Sequence, residues 1–534
     1  MIIPISVNHK AARAPREHGQ KFVDPPLTDA PSMIESNQRL AAGSNCDIHG
    51  LPLSQLAAAA RKDLLTQARR FTSSYRDVRD EAAEDAPLIL AGHQPQLFHA
   101  GVWIKNFALS SLARYVDGRS INLLIDNDIL RNPAIRVPVG SGSHRHVSTI
   151  AFDRVGEPIP YEERGITDLR QFQTFGHRVE EAIQSVVDSP LIEDYWPLVQ
   201  QATERSHNVG RCLAEARHRL EGQWGQDTWE VPLSVVCDSR PFAWFTAHLL
   251  ANAPSLHEVY NSSLTEYREI NRVRSRSHPV PDLAVDEPWL EVPFWLWTSE
   301  TPHRRRVFVR SCGEGLELSD REDTRIRLPL TADRDAEPAV ERLADLAKQG
   351  IRLRPRALTT TVYARLFLSD LFLHGIGGAK YDQLTDLIMN RFFGVQPPCF
   401  MTLSATLLLL KDRTRGMLEE IRETRQLLRE FRYHPERHLA QSAETARLIE
   451  EKRAWIARDL PRGQRGERHA HIERVNLALQ SQLADRSEQL SKELAETIAR
   501  LRQHQPLASR EFSFCLFSEA TLRPLLLELS ACEA

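Results

Sequence analysis

Residues 88–106 read LILAGHQPQLFHAGVWIKN. The run LILA is too short for a helix and ends at Gly92, the pattern of a strand buried on both faces of a parallel sheet. VWIKNFALSSLARYV (102–116) then reads as a helix, and INLLIDND (121–128) as a second apolar strand. Strand, helix and strand within about 40 residues imply a right-handed crossover between parallel neighbours. The stretch predicts an α/β core.

Upstream, residues 1–50 lack periodicity and are expected to wrap the surface or stay partly loose, while 54–84 have helical spacing. Downstream, RNPAIRVPVGSGSHRHVSTIAF (131–152) reads as loop and edge strand, 167–222 as helical, and VPLSVVCD (231–238) as a further strand. Pro241 falls in the first turn of the next helix, where its missing N–H costs least. Aromatic and β-branched residues at 289–330, broken by Gly and Pro, predict antiparallel strands. The α/β pattern returns at 338–394, with IRLRPRAL, a helical TTTVYARLFLSDLFL (359–373), the loop HGIGGAKYD (374–382) and another helix.

The last 130 or so residues change character: Glu, Arg, Gln, Leu and Ala dominate, with a break at DLPRGQRGER (459–468). Ile472, Val475, Leu479, Leu483, Leu490, Leu494, Ile498 and Leu501 recur at the spacing of one face of a nearly straight helix. An antiparallel helical coiled-coil hairpin is expected, interrupted in its first half by Pro435. The implied divisions are 1–85 (extension and helix), 86–400 (core, with a helical insertion at 160–225 and a β-rich one at 285–335), 401–505 (arm) and 506–534 (return to the core). Trp455, Ile456, Leu483 and Leu494 are expected to stay partly uncovered, which predicts a homodimer formed through the arm.

A charge of -3, from 68 basic and 71 acidic residues, gives no electrostatic reason to expect nucleic acid or an anionic membrane as partner. The apolar patch at the start is too short for a signal-peptide core, and no run of 18 apolar residues occurs, so the expectation is a cytoplasmic chain without a membrane partner. Seven scattered cysteines without a C-x-x-C pair suit reduced thiols.

In a doubly wound sheet, ligands gather at the carboxyl ends of the strands, where GHQPQLFHAG and DND both fall. Gly92 and Pro95 permit a tight turn, and Gly101 lets the following helix come close. The helix N-terminus favours an anion, to which His93 and His99 are candidate donors. Asp126 and Asp128, flanking Asn127, are candidates for Mg²⁺ or an amine, or alternatively for capping the next turn. Gly377 and Gly378, followed by Lys380 and Asp382, suit phosphate without P-loop spacing. A metal reading would draw on His93, His99 and the HRH at 144–146, and would make the chain a metal-dependent hydrolase; these histidines lack ligand-grade spacing.

The grammar of strand, Gly, Pro and His-x-Gly at a helix start is similar to the histidine loop of class I synthetases and nucleotidyltransferases, with Val102 where that loop has its second histidine. In order along the chain, the stretches resemble the bacillithiol-biosynthesis cysteine-adding enzyme family. GHQPQLFHAG is similar to that family's G-Q-Q-x-G-L-F-T-G-P loop, keeping Gly92, Gln94, Leu97 and Phe98, with His99 at the threonine. INLLIDND stands where the family has a strand ending in E-D-H-D, and residues 353–398 resemble its L-R-P, helix, Gly-Gly loop and F-G-V-P-x-P segment. Ala379, Lys380 and Tyr381 depart from the acid that follows the family's glycines. The resemblance covers roughly 86–130 and 350–505. It implies a Rossmann-like α/β core with a coiled-coil arm and a ligase that couples cysteine, or another amino-bearing molecule, to a sugar-type acceptor. ATP or a related adenine nucleotide, with Mg²⁺, would assist. His93, His99 and Lys380 would be catalytic, with Gly92, Gln94, Gly101, Asp126, Asn127, Asp128, Gly377, Gly378 and Asp382 binding substrate or nucleotide. A non-catalytic scaffold with a vestigial core is the alternative.

Overall fold

The computed structural model describes residues 13–78, 82–141, 144–275, 277–410, 414–440, 442–459, 461, 465–504 and 506–532. The chain is mixed α/β, 52% helix and 18% strand. It divides into two compact units, one of residues 1–141, 148–407 and 510–534, the other of 142–147 and 408–509.

The larger unit is built on a six-stranded sheet in the order Gln20–Asp24, Phe400–Thr406, Leu371–His374, Leu88–His93, Arg119–Leu124, Trp229–Pro232. All neighbours run parallel except the edge strand Gln20–Asp24, which is antiparallel to Phe400–Thr406. Leu88–His93 and Arg119–Leu124 pair from Leu88↔Arg119 to His93↔Leu124, joined by the helix Ala100–Tyr115 as the sequence predicts. That helix buries Trp103, Ile104, Phe107, Ala108, Leu109 and Leu112 completely, so it is apolar nearly all round.

Several expectations are corrected. VPLSVVCD is not one strand: the strand is Trp229–Pro232, and Leu233–Cys237 is a short helix whose Ser234 amide is capped by Asp126. Pro232 has no N–H with which to continue a ladder, and the cap favours the helix. The expected helix through residue 373 stops at Leu368, with a π-type last turn, and Leu371–His374 is a central strand. Its length of four residues hides it from periodicity. The strand Ile351–Pro355 joins an antiparallel sheet, not the parallel one, pairing with Trp289–Thr298. Within 1–50, a strand Gln20–Asp24 and a helix Ala30–Ala42 pack on the core, so the described part of this segment wraps the core and is not loose, with regular elements that its lack of periodicity hides; residues 1–12 lie outside the described ones.

The second sheet has the order Arg325–Leu328, Gly315–Ser319, Arg305–Cys312, Trp289–Thr298, Ile351–Pro355, antiparallel throughout, as the aromatic and β-branched run predicts. Its Val292, Phe294, Leu296, Val307 and Leu318 share one apolar core with Leu88, Leu90, Ile121 and Leu123 of the parallel sheet.

The smaller unit is helical. Thr414–Tyr433 and Ala443–Ala457 run out, and Arg465–Gln480 and Ala484–His504 return. The pairing is antiparallel: Thr497 donates to Glu420 (2.8 Å), Gln480 to the Arg432 carbonyl (2.8 Å), and Trp455 stacks on His471. Pro435 opens a 3-10 turn at the expected break. A second 3-10 turn, Ser481–Leu483, interrupts the return helix, which the stripe predicted as continuous. Val475, Leu479 and Leu483 are buried, so Leu483 is not uncovered as expected, while Ile456 is 54% exposed.

Candidate functional site

The carboxyl ends of the parallel strands bring Gly92, His93, Gln94, Asp126, Asn127 and Asp128 together. The ladder places His93 beside Leu124, and the Ile125 amide donates to the His93 carbonyl (2.9 Å). Gln94 Nε2 reaches Asp128 (3.0 Å), so the two loops are tied side chain to side chain.

Each acid there already has partners. Asp126, buried, accepts from the Ser234 amide (2.9 Å) and hydroxyl (2.5 Å). Asp128, 39% exposed at its side chain, accepts from its neighbour's amide at Ile129 (2.8 Å), from Gln94 and from Arg304 (3.2 Å). Asn127 donates to the Pro355 carbonyl (3.0 Å). Beside them Glu162 grips Arg354 bidentately (2.9–3.2 Å), and Arg354 also reaches Asp238 (2.7 Å). These carboxylates hold the Arg354 guanidinium well above its ordinary value against its burial.

The other half of the site is cationic. Lys105, on the helix Ala100–Tyr115, is buried and donates to the Gly92 carbonyl (3.1 Å). Burial lowers its ammonium to about 8. His93 faces the Gln94 carbonyl through Nδ1 (3.0 Å); a carbonyl only accepts, so Nδ1 carries the hydrogen and Nε2 presents a lone pair. Burial, aided by Lys105, pushes His93 down to about 3, so it stays neutral and accepts at Nε2 rather than donating there.

His99 is the reverse case. Arg510 donates toward its Nε2 (3.5 Å), which places the hydrogen on Nδ1, and Nδ1 is buried without a hydrogen-bond partner. Burial, then Arg510 and Lys105, lowers His99 to about 4. Arg510 donates to Ser404 (3.2 Å) and Thr406 (3.3 Å) at the end of a neighbouring strand; its Nε makes no hydrogen bond and stands 3.6 Å from Glu511. His99 is also the N-cap of its helix but makes no side-chain cap there. A buried N–H donor on His99 therefore stands with Arg510 at a helix N-terminus, the Glu511 carboxylate 3.9 Å from the ring's Nε2 and the charge of Lys105 felt by the same imidazole. The two groups without hydrogen-bond partners, His99 Nδ1 and Arg510 Nε, are both donors and suit an anion.

Gly101 has the role its position suggests: a Cβ there would lie 2.0 Å from the Ala405 carbonyl, so only glycine lets the helix reach that strand. The glycine segment differs from the expected loop. Gly377 and Gly378 lie inside the first turn of the helix Ile376–Phe392 and are exposed, as is Lys380. Asp382 is buried and pairs with Arg365 (2.6 Å) and His374 (2.8 Å). His144 and His146 are exposed residues of the other unit. Lys105, Glu162 and Arg510 escape a sequence reading, whereas Arg354 is the arginine of the L-R-P at 353–355 and Arg304 lies in the basic run HRRR (303–306), which offers cations to an acidic substrate. Of those three, Lys105 alone leaves a signal, a lysine inside an otherwise apolar helix.

Compared with known proteins, the chain matches no family model and no curated protein. No helix among the described residues is long and apolar enough to cross a membrane.

Proposed function

We propose that the chain is a ligase-like enzyme that couples an amino-bearing small molecule to a sugar-type or other small acceptor, with cysteine the amine implied by the resemblance. Its core is read as Rossmann-like and its arm as a coiled coil through which two copies associate. The adenine nucleotide puts its phosphates against His99, Arg510, Lys105 and the N-terminus of Ala100–Tyr115. The observation that carries this reading is the buried, unpartnered Nδ1 of His99 beside two cations. Lys105, with its ammonium near neutrality, exchanges a proton readily and suits assistance to an attacking amine. Magnesium enters with the nucleotide, because Asp126 and Asp128 are already engaged.

Calorimetry with ATP and ADP tests the site. Binding is expected, and His99→Ala should weaken it by about 1–3 kcal/mol, the range for a hydrogen bond to a charged group. Unchanged affinity in the variant, or no affinity in either chain, overturns the reading. Light scattering tests the association, with a dimer expected and a monomer at tens of micromolar refuting it.

A further inference from the structure

The helix Val209–Gln223 carries His218 and Glu221 three residues apart, and the strand Trp229–Pro232 carries Glu230; all three are completely buried. Arg217 donates to Oε1 of each glutamate at 2.5 Å. Trp103 and Asn106 also donate to Oε1 of Glu221, and Asn122 to Oε1 of Glu230. Every donor goes to Oε1. The Oε2 atoms of both glutamates are buried with no hydrogen-bond partner.

His218 adds a third acceptor beside this pair, one that already takes the Tyr75 hydroxyl hydrogen at 2.7 Å. Its Nε2 faces the Thr228 carbonyl at 2.8 Å and so carries the hydrogen, leaving a lone pair on Nδ1, 3.8 Å from Glu230 Oε2. One ligand atom from each of the three residues lies within 4.8 Å of the others. Donors about 2.1 Å from a tetrahedral ion stand about 3.4 Å apart, so a small inward movement gathers these atoms around one ion. Arg76, the other cation here, gives its N–H groups to the His218 and Gln226 carbonyls, which leaves Arg217 alone to pair two carboxylates.

We propose that His218 Nδ1 and the Oε2 atoms of Glu221 and Glu230 bind one divalent transition-metal ion, Zn²⁺ or Mn²⁺. An imidazole with two carboxylates suits these ions better than Ca²⁺, which takes oxygen ligands alone. The ion displaces the hydrogen bond that Tyr75 Oη donates to Nδ1 (2.7 Å), and the freed phenol oxygen then stands as a fourth ligand. The Thr228 carbonyl orients the ring and Arg217 holds the far oxygens of both carboxylates, as outer partners of metal sites do. Because the site is sealed, the ion enters as the chain folds. The inference does not depend on the nucleotide reading.

Elemental analysis of untagged, full-length protein tests it. About one Zn²⁺ or Mn²⁺ per chain is expected, held against EDTA in the native protein and released to EDTA in denaturant. Glu221→Gln and Glu230→Gln should each lower metal affinity by more than about tenfold. If either variant fails to fold, wild-type chain refolded in EDTA and then with Zn²⁺, Mn²⁺ or Co²⁺ gives the answer. A higher unfolding midpoint with the ion, and visible d–d bands with Co²⁺, support the site. Metal-free protein whose unfolding no ion alters overturns it, leaving the two carboxyls to share a proton, and so does full metal content in Glu230→Gln.

Discussion

Replacing Lys105 by Met separates a ligand-holding role from a structural one. Burial lowers this ammonium from 10.5 to about 8, and at about 1.4 kcal/mol per tenfold change in proton affinity its charge costs the fold about 3 kcal/mol below pH 8. Met keeps most of the stem and removes the charge, at the loss of one hydrogen bond to the Gly92 carbonyl worth about 1 kcal/mol. Lys105→Met should therefore stabilise the protein by about 1–2 kcal/mol at neutral pH in buffer free of phosphate and nucleotide. The pH dependence has a fixed sign. Between about 8 and 10.5 the unfolded lysine holds a proton that the folded one has released, so wild-type stability rises with pH and the advantage of the variant shrinks. Urea unfolding at neutral pH and near pH 10 measures both chains, and calorimetry should show nucleotide affinity lost in the more stable variant. A loss of stability at neutral pH, or parallel stability curves for the two chains, would refute the argument.

Gly101→Ala drives a Cβ into the Ala405 carbonyl and should destabilise the fold by about 2–3 kcal/mol, read by chemical denaturation; an unchanged midpoint contradicts the close approach. Asp126→Ala strands the Ser234 amide and hydroxyl and should cost about 1–2 kcal/mol, whereas Asp128→Asn, partly exposed, should cost under about 1 kcal/mol in the same assay. Equal costs at the two positions would mean that Asp126 is not the cap.

The strand, helix and strand at 88–124 are legible because apolar runs, Gly92 and helical length agree on one answer. Leu371–His374 and Phe400–Thr406 are not, because each pairs with partners hundreds of residues away or closes a sheet whose other strands come first in the chain. A four-residue apolar run carries no period of its own. In the site, the residues adjacent in sequence, His93, His99 and Gly101, are readable as a group. Their protonation is not, since it follows from the Gln94 carbonyl at one ring and Arg510, some 400 residues on, at the other. Arg354, the arginine of the L-R-P at 353–355, meets Glu162 only through tertiary pairing, and nothing near either one marks the other as its partner.

The helix Ala100–Tyr115 links both proposed sites. Its first turns present His99, Gly101 and Lys105 to the strand ends, while Trp103 and Asn106 reach Glu221. Residues three or four apart on a helix share a face, and those one or two apart do not. Trp103 and Asn106 therefore share a face, and Gly101 and Lys105 share another. Two polar demands in the first half of this helix, with Ser110 and Ser111 adding more in its second half, fix its rotation and its depth together, since turning it to satisfy one face withdraws donors from the other. The close contact at Gly101 sets that depth. A lysine charged at a cost and a tryptophan N–H on a buried carboxylate are thus held by one rigid element, and their geometry cannot be adjusted separately.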